Sequence, residues 1–269
     1  AAAMRCGGLT AVAVMAEGCG EALGKRLGEV LPIVLAGMKD PDRSVRSAAA
    51  FAMGQMAEFM SGDVVEHYAA VLPVVLGVMA DSDAGVQERG CYALDTFCEA
   101  MEPEQIAPYI PKLVEVLVGV LSHSARAGAA GVQEMALSAI ASIAAAAQAD
   151  FEPHVPAVLP VLHHYMGVHG TELLPCRCRA TECMGLMMEA MAGKPGSALA
   201  GLVPGVMSAG LGGWQLGASE LREFTHGMWA CMAKALGAAF QPYLSSVVPR
   251  AFESLEQDEG SLGGGSDDE

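Results

Sequence analysis

A proline set among aliphatic residues returns along this chain at a nearly constant step. It stands at Pro32 in EVLPIVLAGM, Pro73 in AVLPVVLGVM, Pro160 in AVLPVLHHYM, Pro204 in GLVPGVMSAG and Pro249 in SVVPRAFESL. A sixth apolar copy, KLVEVLVGVL, carries Glu115 in the proline slot. The steps are 41, 42, 45, 44 and 45 residues. A second pattern interleaves with the first. MRCGGLTAVAVMAEG begins at Met4, VRSAAAFAMGQMAEF at Val45, VQERGCYALDTFCEA at Val86, VQEMALSAIASIAAA at Val132, CRCRATECMGLMMEA at Cys176 and LREFTHGMWACMAKA at Leu221. In each, apolar or small residues recur at i, i+4, i+7, i+8 and i+11, the spacing of one helix face. A unit this short cannot bury that face alone, so copies in register demand a stacked array.

Each unit therefore holds two helices, one with the proline and one amphipathic, at the period of HEAT-type repeats. Composition agrees: 52% of residues are hydrophobic but only 5% aromatic, which suits close-packed helices better than sheets. KDPDRSVR (Lys39–Arg46) and DSDAGVQ (Asp81–Gln87) supply turn formers and N-caps between the two helices. A proline repeated at one place bends every such helix alike. The fold class is all-α: an armadillo-like α-solenoid over residues 1–255, of about five to six helix pairs. The proline helices lie outside and the amphipathic helices line the concave side. An unpaired inner helix opens the chain and an unpaired outer helix closes it, so the chain reads as a piece of a longer protein with exposed apolar ends. Residues 256–269, EQDEGSLGGGSDDE, read as an acidic, disordered tail or the start of an acidic insertion.

The formal net charge is −16. Phosphate contacts need clustered Lys and Arg, so direct nucleic-acid binding is disfavoured and a basic protein partner is the electrostatic match. The slot thirteen residues into each inner helix holds Glu17, Glu58, Glu99, Ala145, Glu189 and Lys234. Slots two, six and nine add Glu88, Glu134 and Glu223, then Glu182, then Asp95. At about 100° per residue these slots share one stripe, opposite the core-facing residues. The candidate cargo-binding residues on the groove face are therefore Glu17, Glu58, Glu88, Asp95, Glu99, Glu134, Glu182, Glu189 and Glu223, opposed by Lys234. Such a run is also what an ordinary solvated face looks like; its recurrence in register argues for a binding surface.

SVRSAAAFAMGQMAEFM, CYALDTFCEAMEPEQIAPYIPKLVEVLVGVL and ALSAIASIAAAAQADFEPHVPAVLPVL resemble the middle repeats of the importin-β (karyopherin-β) superfamily, in its importin four and importin five branch. The likeness runs from Met4 to about Leu255. It implies nuclear import by a receptor that shuttles between cytoplasm and nucleus. Such receptors hold basic cargo, for this branch histones and ribosomal proteins, on the concave side. They touch Phe-Gly repeats of the nuclear pore on the outer side and release cargo on binding the GTPase Ran. In that family the Ran site lies mostly in amino-terminal repeats outside the resemblance, so Ran contacts fall to other parts of the parent protein.

His163, His164, His169, Cys176, Cys178 and Cys183 are close in sequence, but they contain no CxxC pair and read as loop histidines and core cysteines rather than a metal site. All eight cysteines read as reduced core residues of an intracellular protein. The methionines and Trp214 and Trp229 read as packing. The uncharged run Pro195–Ser219 is broken by Pro204 and GLGG, which argues against a membrane span. No nucleophile–base pattern and no phosphate loop is present, so neither catalysis nor a cofactor is expected. The competing function is a HEAT scaffold that assembles other proteins, as a phosphatase scaffold subunit does.

Overall fold

Twelve helices of eleven or more residues alternate along residues 1–192 and 198–256, the residues described by the structure, a computed structural model. They are α1 (Ala2–Gly24), α2 (Leu27–Gly37), α3 (Arg43–Phe59), α4 (Tyr68–Met79), α5 (Ala84–Cys98), α6 (Ile110–Ala127), α7 (Ala130–Ala147), α8 (Val155–Met166), α9 (Leu174–Ala190), α10 (Leu199–Trp214), α11 (Ser219–Leu236) and α12 (Leu244–Leu255). The odd helices are the amphipathic segments and the even ones the proline segments. No strand occurs among the described residues. Of the acidic tail, all beyond Glu256 lies outside them.

Each of the five prolines is the sixth residue of its helix, and each is exposed. Glu115 takes the same exposed place in α6. A proline here removes a hydrogen bond near the start of the helix, on the side where water can serve the freed carbonyl. The slot thus marks the outer face of every even helix. The expected caps form in the first two turns: Asp42 accepts from the Ser44 N–H at 2.9 Å and Asp83 from that of Val86 at 3.2 Å.

Arginines tie consecutive units together at these turns. Arg5 of α1 donates to both oxygens of Asp40, at 2.7 and 2.9 Å. One unit on, Arg46 of α3 grips Asp81 the same way, at 2.6 and 3.1 Å, and also donates to the carbonyls of Asp40 and Pro41. Successive odd helices pack along most of their length, while successive even helices meet far less. The closer layer lies on the inside of the curve, so the odd helices line the concave side.

Small residues allow that closeness. Gly54 of α3 lies under the ring of Tyr92, and a β-carbon on Gly185 of α9 would stand 2.8 Å from the Met228 Cα of α11. One core runs from Leu9 to Phe240. Met184, Met187 and Met188 are fully buried, and Trp214 stacks on Trp229 at 5.5 Å between centroids. Cys91, Cys98, Cys176, Cys178 and Cys183 are buried as expected, but Cys6 and Cys231 are half-buried and Cys19 is exposed. Cys19 departs from the core expectation, and it interrupts α1 with φ −138° and ψ 28°. Met60, which ends α3, stands at the same slot with nearly the same angles, −135° and 29°. Two apolar stretches, Ser61–Met79 and Ala130–Met166, have the length and composition to cross a bilayer. A 3-10 turn interrupts each, and much of each is buried in the core. Apolar side chains are exposed at both ends: Met4 on α1, and Leu244, Val248, Phe252 and Leu255 on α12, which buries no residue.

Candidate functional site

Slot thirteen is exposed or half-buried in every unit, but slot nine, expected on the groove stripe, is buried at Ala13, Gly54, Ala141 and Gly185 because neighbouring inner helices pack there, and the acidic residues of the four slots do not all meet. Four of them converge from three inner helices, α3, α5 and α9, around the intervening α7. Glu58 sits at the end of α3, Asp95 in the last turns of α5, Glu99 just after α5 and Glu182 in α9. Burial lifts the Glu99 carboxyl above its usual range, and the charges of Asp95, Glu58 and Glu182 push it further. Asp95 accepts hydrogen bonds from Ser138 at 2.9 Å and Ser142 at 2.5 Å, both on α7. Burial still raises its carboxyl; the serine bonds and Arg179 only oppose that rise. Asp95, Glu99 and Glu182 share a cleft of about 540 Å³ with Ser138, Ser142 and Arg179. A second cleft of about 520 Å³ shares Ala145, Gln148 and Leu186 with it and carries Glu189 and Lys234. Ala145, which interrupts the acidic column, forms part of the common wall.

Glu17, Glu58, Glu88, Glu134 and Glu223 line neither cleft. Glu17 and Glu223 are exposed on α1 and α11. The Glu88 carboxylate lies against Gly131, in the first turn of α7, where a β-carbon would come within 2.7 Å of it. There it faces the positive end of a helix dipole.

The expectation that Lys234 alone opposes the column is incomplete. Arg179 donates to Glu182 at 3.0 Å, lies 3.8 Å from Glu134 and stacks over the Phe224 ring at 5.4 Å. Lys234 itself pairs with Glu189 at 3.4 Å. Tyr92 was also missed. Its hydroxyl donates to Glu58 at 2.7 Å and accepts from Gln55 at 2.5 Å. Burial, and then the bond to Glu58, push that phenol up to about 12. Arg179 stands three residues on from Cys176, beside the acidic stripe rather than on it. Reading the flanking slots together with the stripe would have shown it. His163 and His169 sit apart from the buried Cys176, Cys178 and Cys183, and no metal-ligating cluster occurs among the described residues.

A family model described as the HEAT repeats of stalled ribosome sensor GCN1-like proteins matches residues 8–175. Among curated proteins, the chain is 30% identical over 265 residues to "Probable importin subunit beta-4" of Schizosaccharomyces pombe, covering 97% of this chain and 24% of that protein. It is 30% identical over 264 residues to human "Importin-4", covering 95% of this chain and 23% of that one. The chain belongs to the HEAT-repeat importin-β superfamily. It spans about a quarter of the length of these importins. Solved structures of Kap121p share the fold. Kap121p bound to Pho4p superposes with a TM-score of 0.81 at 23% identity, over 94% of this chain and 24% of that one. The same protein has also been solved with three acidic residues exchanged for lysine, at positions about one repeat apart.

On the outer side of this importin-β solenoid a different surface opens. Leu121, Ala125, Pro160, Val161, His164 and Tyr165 line a mostly apolar cleft of about 250 Å³ between α6 and α8. The inner face can attract cations, and the outer face can take an aromatic or aliphatic side chain.

Proposed function

We propose that this chain is a cargo-binding part of a nuclear transport receptor. It takes a basic, extended segment of protein cargo, of the histone or ribosomal-protein kind, along the inner face of its odd helices. The observation that carries this is the convergence of Glu58, Asp95, Glu99 and Glu182 from the inner helices α3, α5 and α9, around the intervening α7. Four carboxylates held in one partly buried place repel one another. Successive Lys or Arg side chains of an extended chain would relieve that repulsion, at the helix spacing of about 8–10 Å. Glu189 extends the path into the adjoining cleft. Glu17, Glu88, Glu134 and Glu223 are assigned weaker, peripheral parts. The outer cleft between α6 and α8 is proposed to take phenylalanines of nuclear-pore repeat segments. No Ran contact is proposed for these residues. As part of such a receptor the chain would move between cytoplasm and nucleus.

The test is fluorescence anisotropy of a labelled histone-tail peptide against the chain and against Glu58→Lys/Glu99→Lys/Glu189→Lys. We expect the triple reversal to weaken binding by about a hundredfold or more, since close charge pairs across an interface couple by about 1.5–7 kcal/mol. Unchanged affinity would make the column a solvated face. One observation favours a second function, a HEAT scaffold that assembles other proteins: Arg179 and Lys234 give part of the groove mixed charge. A scaffold would bind a folded partner with little dependence on salt and without regard to these three residues.

A further inference from the structure

The residue after the first aligned position of each inner helix follows a rule within this chain. Arg5 and Arg46 occupy it where an aspartate stands five residues before the next inner helix's aligned position, at Asp40 and Asp81. Gln87 and Gln133 occupy it where that place holds Ala127 or Thr171. A guanidinium is present with its carboxylate, and a neutral amide where the carboxylate is missing. Arg177 breaks the rule, because its partner place is Leu216.

The consequence is a buried cation with no counter-ion. Arg177 is only 4% exposed, and among the described residues no carboxylate forms an ion pair with it. One Nη donates to the Val168 carbonyl at 2.5 Å. The other edge of the guanidinium, Nε and the second Nη, lies over Gly213, where a β-carbon would sit 3.8 and 3.4 Å from those atoms. Arg177 and Met166 form the floor of a cleft of about 430 Å³ whose rim carries His163, His169 and Ser208, all exposed. An uncompensated buried charge is costly unless something pairs with it. Burial without an acid pulls the Arg177 pKa down from its usual value.

We propose that this cleft binds a phosphate group, with Arg177 as its fork. The free edge of a guanidinium matches two oxygens of a phosphate in parallel. A carboxylate would be exhausted by that fork, whereas a tetrahedral anion keeps oxygens for the Ser208 hydroxyl and the two imidazoles at the rim. The cleft is larger than the anion, so a phosphorylated side chain fits it as well as free phosphate does. The site lies beside α8 and α10, away from the acidic groove residues, and does not depend on the cargo function.

The experiment is calorimetric titration of the chain with inorganic phosphate and with a neutral-flanked phosphoserine peptide, at fixed pH and ionic strength, with acetate as control. Calorimetry is needed because phosphate raises thermal stability by exclusion from any protein surface. We expect saturable phosphate binding. It should weaken about tenfold or more in Arg177→Met, as expected for losing a hydrogen-bonded charge. Leu216→Asp should weaken it similarly while leaving Arg177 in place, because it restores the missing carboxylate and fills the fork. That variant also decides the matter if Arg177→Met folds poorly. Tighter binding of the peptide would identify a protein-borne phosphate, and equal binding a free anion. Absence of saturable binding, an equal response to acetate, or full binding in Leu216→Asp would overturn the proposal.

Discussion

Asp95 shows how one side chain serves both the packing and the groove. Its carboxyl titrates above its unfolded value because burial outweighs two serine hydrogen bonds. A carboxyl with a raised folded pKa destabilises the fold when ionised, and that loss is relieved as pH falls through the folded value. Asp40 and Asp81 act oppositely. Hydrogen bonds from Arg5 and Arg46, more than any other cause, hold them below the usual range, so their contribution is present above that range and fades as pH falls through the lowered value. Stability should therefore rise on mild acidification, then collapse in stronger acid. Asp95→Asn should raise the neutral-pH denaturation midpoint and flatten the mild-acid rise; denaturant melts from pH 7 down to pH 4 read both. A midpoint lowered at neutral pH would contradict this account. Gly54 stands at slot nine, which periodicity alone places on the groove stripe; the Tyr92 ring that covers it was not legible, because that contact joins two repeats. Gly54→Ala should cost about 1–3 kcal/mol through overpacking, measured by urea unfolding.

At the scale of helices, most of the architecture was readable before any coordinates. The proline step placed every even helix, and the aspartates at Asp42 and Asp83 placed the starts of α3 and α5. What periodicity could not show was how each turn is tied to the next unit. The Arg46–Asp81 pair joins residues 35 apart in sequence and is mostly shielded, with side chains 19% and 11% exposed. Arg46→Ala should cost about 1.5–3 kcal/mol, the range for hydrogen bonds to charged groups, and loosen hydrogen-exchange protection at the α3–α5 junction. Arg46→Lys should recover only part, since an ammonium cannot bridge both oxygens. A wheel projection needs only one helix, so it gave the acidic stripe but set slot nine on the groove, where packing between inner helices buries Ala13, Gly54, Ala141 and Gly185. Arg179 escaped it because its meaning depends on Glu134 one helix back and Glu182 on its own. The setting of Glu88 was hidden for the same reason, since only the three-dimensional neighbour, Gly131, gives it a helix terminus to face.

Across the whole molecule, closely packed inner helices bring Glu58, Asp95, Glu99 and Glu182 near one another on an already acidic chain. The raised Glu99 and Asp95 carboxyls add a signature: binding of a basic peptide should fade on acidification at a higher pH than isolated solvated carboxylates would produce. Arg179 sets a limit on the groove, because any ligand cation near Glu182 competes with it. The central claim is that peptide cations meet these particular carboxylates, and a charge-swap cycle tests it most directly. A histone-tail peptide with its lysines changed to glutamate is paired with Glu58→Lys/Glu99→Lys/Glu189→Lys, and all four combinations are measured by anisotropy at one salt concentration. We expect each single reversal to weaken binding and the double reversal to recover much of it, with a coupling of about 1.5 kcal/mol or more. Losses that simply add, with no recovery in the doubly reversed pair, would mean that basic segments do not bind at the acidic column.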